Sequence, residues 1–193
     1  MIKFCFNADK AVQLAAGFLR LVPEQVMNYT KLIKLMYLAD RASILETGLP
    51  ITGDSMYALP NGPILSYTLS CIYGEANDSE WNKYFRRHGR YELAMNEDPG
   101  DGLLSRRDLK IAQALYDRYI GYDYNDMIRA THRLGEWRKN NPGRSSVPIS
   151  VEDILQSESW PEEAIAGIAE LAKESLEVEC FAACSLLEED ECD

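Results

Sequence analysis

A mainly α-helical, single compact domain with a small β-hairpin or short strands, plus an acidic amphipathic C-terminal helix, is the fold class this sequence predicts. Three observations predict it. Apolar residues recur at steps of three and four through most of the 193 residues, which is the period of a helix with one buried face. Hydrophobic residues make up 46% and charged residues 26% of the chain, ordinary values for a globular protein of one domain's length. The charge is also divided. Glu152 to Asp193 hold 14 acids and one base, while residues 1–151 carry a net +2 of the overall −11. That division suggests a helical domain over 1–150 and an acidic helical extension over 151–193. The composition excludes a disordered chain, and the absence of repeats excludes a fibrous one.

The elements follow in order. Asn7 or Asp9 caps a first helix reaching about Val22, with Val12, Ala15, Ala16 and Leu19 on one stripe. Pro23 breaks it. A second helix from about Asn28 to Thr47 carries Leu32, Leu35, Met36, Ala39, Ala42 and Leu45, and Gly48 with Pro50 ends it. This is the expected central helix. Met56 to Leu59 reads as extended and Pro60-Asn61-Gly62-Pro63 as a turn. Pro63 then fits the first turn of a helix that stops at Gly74. A shorter helix is expected over about Glu80 to Arg87. A small hairpin follows, with Arg90 to Met95 as one arm and Leu103-Leu104 as the other. Ser105 with Asp108 resembles a capping box and opens a helix ended by Gly121. Another helix spans about Asp123 to Leu134, and Trp137 to Pro148 reads as basic and turn-rich. Ser150 with Asp153 and Ser159 with Glu162 mark two last helix starts. From Trp160 on, Ile165, Ile168, Leu171, Leu176 and Phe181 keep an apolar stripe beneath a negative face that includes Glu174 and Glu177.

Chemistry is sparse. No stretch reaches the ~18 apolar residues of a membrane span, and Met1 to Lys10 lacks the apolar core of a signal peptide. A cytoplasmic protein with reduced thiols is therefore expected, with no membrane association. Cys180 and Cys184 are spaced too widely for an ordinary zinc knuckle and read as helix-facing apolar residues. No glycine loop has the spacing to cradle phosphate, and Asp98, Asp101 and Gly102 lack the ligand alternation of a calcium loop. No catalytic residue, metal or cofactor is expected, and the chain does not read as an enzyme. His132, beside Thr131 and near Trp137, reads as a loop anchor. Lys83, Arg86, Arg87, His88 and Arg90, interleaved with Trp81, Tyr84, Phe85 and Tyr91, form a basic aromatic patch. A second basic run spans Arg133 to Arg144. Such patches suit phosphates, an acidic helix of the same chain, or a protein partner. The net charge disfavours nucleic acid.

Four segments, in order, resemble the Panacea antitoxin domain, the SocA-like antitoxin family. Lys31-Leu32-Ile33-Lys34-Leu35-Met36-Tyr37-Leu38-Ala39-Asp40 is similar to its K-L-x-K-L-L-Y-x-A helix. Thr47-Gly48-Leu49-Pro50-Ile51 and Met56-Tyr57-Ala58-Leu59-Pro60-Asn61-Gly62-Pro63-Ile64 resemble its T-G-x-P-L segment and A-W-x-Y-G-P-V turn. Leu103-Leu104-Ser105 and Thr131-His132-Arg133-Leu134-Gly135-Glu136-Trp137 match the remaining two. Leu59 and Asn61 depart from the aromatic residues common there, and residues 150–193 lie outside the resemblance.

The resemblance implies a bacterial or phage antitoxin that binds a cognate toxin protein directly; a role in delivering the toxin to a protease is described for one family member. Lys34, Tyr37, Tyr57, Asn61, His132 and Trp137 are then candidate partner contacts. The charge reading adds Arg86, Arg87, Glu174 and Glu177, the acidic pair facing a basic toxin. The alternatives are a nucleic-acid-binding regulator acting through Lys83 to Arg90, and an adaptor or inhibitor of a host protein.

Overall fold

The computed structural model describes residues 2–76 and 78–189, with the side chains of 178–189 excepted. The Cys180 and Cys184 reading lies outside the described side chains. Helices dominate, but two three-stranded sheets make the fold mixed rather than purely helical.

Helix α1 (Ala8–Arg20) begins at Asn7, whose side chain accepts from the Lys10 amide at 2.8 Å. After a 3-10 turn over Pro23–Gln25, strand β1 (Val26–Asn28) leads into α2 (Tyr29–Thr47). Asn28 caps α2 by accepting from the Thr30 and Lys31 amides, and Gly48, at φ +79°, closes it in the left-handed conformation. Leu32 to Asp40 are all buried. The single stripe read in the sequence therefore understates α2, which is covered on every side as a central helix must be. Its fully buried residues join α1, the later helices and the strands in one hydrophobic cluster.

Strands β2 (Met56–Leu59) and β3 (Gly62–Leu65) form a hairpin in which Met56 faces Leu65 and Leu59 faces Gly62. This corrects the expectation that Pro63 starts a helix. Proline is tolerated on an edge strand because no ladder bond is asked of its nitrogen, and β3 is the edge of the order β3-β2-β6. Helix α3 (Ser66–Tyr73) begins three residues later and does stop at Gly74.

Helix α4 (Ser79–Tyr84) is shorter than expected, because Phe85–His88 is strand β4. The arm expected over Arg90 to Met95 is β5 (Glu92–Met95), and it pairs with β4 and with β1 rather than with Leu103-Leu104. Leu103 and Leu104 sit in a turn, where the Leu103 amide donates to Gln13 Oε1 at 2.8 Å and the Leu104 amide to the Asp101 carbonyl at 3.0 Å. Local alternation identifies β5, but both its partners, β4 and the far-upstream β1, lie on its N-terminal side.

Ser105 and Asp108 form the expected capping box at α5 (Arg106–Tyr119), and Asp123 with Asp126 form another at α6 (Tyr124–Thr131). The basic, turn-rich stretch holds a short helix, α7 (Gly135–Lys139), and strand β6 (Val147–Ile149), neither of which its composition signalled. Ser150 and Asp153 box the start of α8 (Val151–Ser157), and α9 spans Glu162–Glu189. Val151, Ile154, Leu155, Ile165, Ile168 and Ala172 belong to the same buried cluster as α2. Leu171, expected on the apolar stripe, is 57% exposed. Among the described residues no helix is long and apolar enough to cross a membrane.

Candidate functional site

Segments far apart in sequence converge on the β2–β3 turn. Lys34 lies mid-α2 with 1% of its surface exposed and donates from Nζ to the Pro63 carbonyl at 2.7 Å. Burial pulls its pKa down to about 7, because a low-dielectric interior disfavours the ammonium. Among the described residues no carboxylate pairs with it. Gly62, at φ +95°, makes this approach possible. A Cβ there would lie 2.7 Å from Thr131 Oγ1 and 3.1 Å from Lys34 Nζ.

On the other flank, the Trp137 indole donates to the Leu59 carbonyl at 3.0 Å. Trp137 stacks on His132, with ring centroids 3.8 Å apart and planes 9° from parallel. The His132 pKa is lowered, first by burial and then by the Lys34 charge, while the Pro60 carbonyl pulls the other way. Its Nε2 is buried without a hydrogen-bond partner among the described residues. The carbonyls of Leu59 and Pro63 thus turn inward to fixed donors, and the exposed Asn61 is left at the tip.

A second cluster braces the first. Glu136, one residue before Trp137 and 0% exposed, accepts from Tyr37 Oη at 2.9 Å, from Arg41 Nε at 2.7 Å and from Ser157 Oγ at 3.0 Å. Arg41 also pairs with Glu158. Burial, followed by the Glu136 charge, raises the Tyr37 pKa well above its ordinary value. These contacts tie α2, α7 and α8 together. Nearby on α2, Asp40 accepts from the Ile51 and Thr52 amides at 2.9 Å each and from Thr52 Oγ1 at 2.5 Å, which holds the Gly48–Ile51 loop.

Beside Asn61 opens a cavity of about 350 Å³, bordered by Tyr29, Thr30, Asn61, Tyr91, Tyr124 and Ile128. Thr30 stands one turn before Lys34 on α2, and Ile128 one turn before Thr131 on α6. The cavity is therefore the outer layer of the Lys34 site. Tyr91 and Tyr124 are 51% and 47% exposed. The Arg87 guanidinium lies 4.6 Å from the Tyr29 centroid, and that of Arg90 lies 5.1 Å from the Tyr91 centroid.

The structure thus brings Lys34, Asn61, His132 and Trp137 into one neighbourhood, with Arg87 at its edge. Tyr37 is committed to Glu136. Arg86 is exposed on β4, 3.4 Å from His88 Nδ1. Tyr57 borders a different cavity, of about 330 Å³, with Ile2, Pro148 and Val151. Glu174 and Glu177 are exposed on α9. Sequence reasoning missed Glu136, although it sits inside the segment running from Thr131 to Trp137. It named Tyr91 only within the basic aromatic patch and missed Tyr29 and Tyr124, which share no local pattern with it. Among the described residues no group of His, Cys, Asp or Glu is placed to hold a metal ion.

A family model described as Antitoxin SocA-like, Panacea domain, matches residues 32–138. That span runs from the start of the buried run of α2 to the next-to-last residue of α7 and contains the cavity's Asn61, Tyr91, Tyr124 and Ile128. Comparison with curated proteins and with solved structures gives no match.

Proposed function

The chain belongs to the SocA-like antitoxin, Panacea domain family, and on that premise we propose that it is an antitoxin that neutralises a toxin protein by forming a complex with it. The observation that carries this reading is the convergence of the family's segments. The Lys34 stretch of α2, the Pro60–Pro63 turn and the Thr131–Trp137 segment do no chemistry on one another beyond holding the turn. What they present outward is the Asn61 tip and the tyrosine-bordered cavity. Tyrosines with a neighbouring arginine are the residue types that concentrate at protein interfaces. No catalytic step is part of this reading, and the toxin is silenced by covering its working surface.

The acidic face of α9 supports a second part of the proposal. Glu162, Glu163, Glu170, Glu174 and Glu177 are exposed, while Ile165, Ile168 and Ala172 are buried. A negative face held on a docked helix speeds encounter with a basic surface without adding buried contacts.

The test is coexpression with the neighbouring gene. The expected outcome is a frame that arrests growth alone and is harmless beside this chain, with the two proteins purifying together. Absence of a toxic neighbour, or neutralisation without a complex, overturns the reading.

A further inference from the structure

The cavity at Asn61 has features that select among partner chemistries. Its volume of about 350 Å³ suits one bulky side chain with flanking backbone and lies at the small end of ligand sites. Its border is amphipathic, with the Tyr91 and Tyr124 rings beside the Thr30 hydroxyl and the Asn61 amide. Its charge is biased. Arg87 and Arg90 lie over two of the bordering rings, and Lys31 stands next to Thr30 with its Nζ on the Ile120 and Tyr122 carbonyls. Lys34 is buried one turn deeper. Glu92, opposite Asn28 in the sheet, and Asp123, beside Tyr124, are acids adjacent to bordering residues, and neither lines the cavity itself. Asp126 is taken by Arg129. Arg90 is exposed, and a guanidinium can take a carboxylate bidentately.

Single-stranded nucleic acid would need bare ring faces for stacking. Here Arg87 covers one face of Tyr29, Tyr73 meets that ring edge-on at 5.7 Å, and Arg90 covers one face of Tyr91.

We propose that this cavity seats an acidic segment of the partner protein, an Asp or Glu beside an aromatic or large aliphatic side chain. The apolar side chain fills the space between Tyr91, Tyr124 and Ile128. The carboxylate meets Arg90 and the Asn61 amide. This deepens the antitoxin reading and rests on it only for the partner being the toxin; the cavity's preference for an acidic segment stands by itself.

The experiment uses the full chain, immobilised, and a phage library of short random peptides. The expected result is enrichment of sequences that place Asp or Glu next to Phe, Tyr, Trp or Leu. The best sequence is then synthesised with a fluorophore and its binding read by anisotropy. Tyr124→Ala and Arg90→Gln, both at exposed positions, each weaken it by about tenfold or more while the far-ultraviolet circular dichroism stays unchanged. Enrichment of basic or uncharged sequences, no enrichment, or binding to either variant as tight as to the wild-type chain overturns the proposal. So does an oligouridylate that binds and loses affinity in the same two variants. Because no toxin is present, a failure here is separate from a failure of the coexpression test.

Discussion

Lys34 is an ammonium held in the core by one carbonyl, and its titration has a predictable sign. The native group loses its proton near pH 7, whereas an unfolded lysine keeps it to about pH 10.4. Between those values the unfolded chain binds more protons, so this group makes the protein more stable as pH rises. The gradient is on the order of 1.4 kcal/mol per pH unit at most. Asp40 acts with the opposite sign. Burial pushes its pKa up to about 7 against three hydrogen-bond donors, so its contribution falls as pH rises from about 4 to 7. The expected outcome for Lys34→Met is that the difference in urea midpoint, wild type minus variant, climbs between pH 7 and pH 9.5. A flat difference would mean that Lys34 is charged throughout.

At the scale of elements, the β2–β3 turn depends on Gly62 for two separate reasons. Its φ of +95° strains any side chain, and a Cβ would also collide with Thr131 and Lys34. Gly74 at the end of α3 has φ +75° but open space around its Cβ position. Gly74→Ala is therefore expected to cost about 1 kcal/mol from backbone strain. Gly62→Ala is expected to cost more than about 2 kcal/mol, with the overpacking added. Urea denaturation of the two variants measures the difference, and the Trp137 fluorescence of Gly62→Ala should shift because its indole is anchored to Leu59 across the same turn. Equal costs would show that the turn gives way without disturbing Thr131 or Lys34.

For the whole molecule, the acidic end divides into parts with different duties. Val151, Ile154, Leu155, Ile165, Ile168 and Ala172 are core residues, and Ile168 rests on Gly48 at the end of α2. Removing everything from Glu152 onward would strip that core and take Ser157 from Glu136, so the deletion tests folding rather than binding. Point changes separate the roles. Ile168→Ala is expected to lower stability by about 2–4 kcal/mol, read by thermal denaturation. Lysine replacements at the exposed Glu170, Glu174 and Glu177 are expected to change stability by less than about 0.5 kcal/mol each. Together they should slow association with the toxin at low salt and leave it unaltered at high salt, where the field is screened. An unchanged low-salt rate would remove the steering role of α9.

The sequence by itself determined the central helix and its ends, a first-helix cap at Asn7 or Asp9, the caps at Ser105 and Ser150, the turn at Pro60–Pro63, the family, and the acidic C-terminal charge. Each of these is written within a few neighbouring residues, where spacing, capping chemistry and backbone preference act locally. Only the tertiary structure decided that Pro63 continues into a strand, that β5 pairs with β1 and β4, and that Glu136 is buried beneath Tyr37 and Arg41. It also decided that Tyr29, Tyr91 and Tyr124 meet beside Asn61, and that the first turns of α9 pack on this chain's own core. Those outcomes depend on which distant surface covers a residue. Burial then changes its charge, its pairing and its accessible partners, none of which a local pattern records.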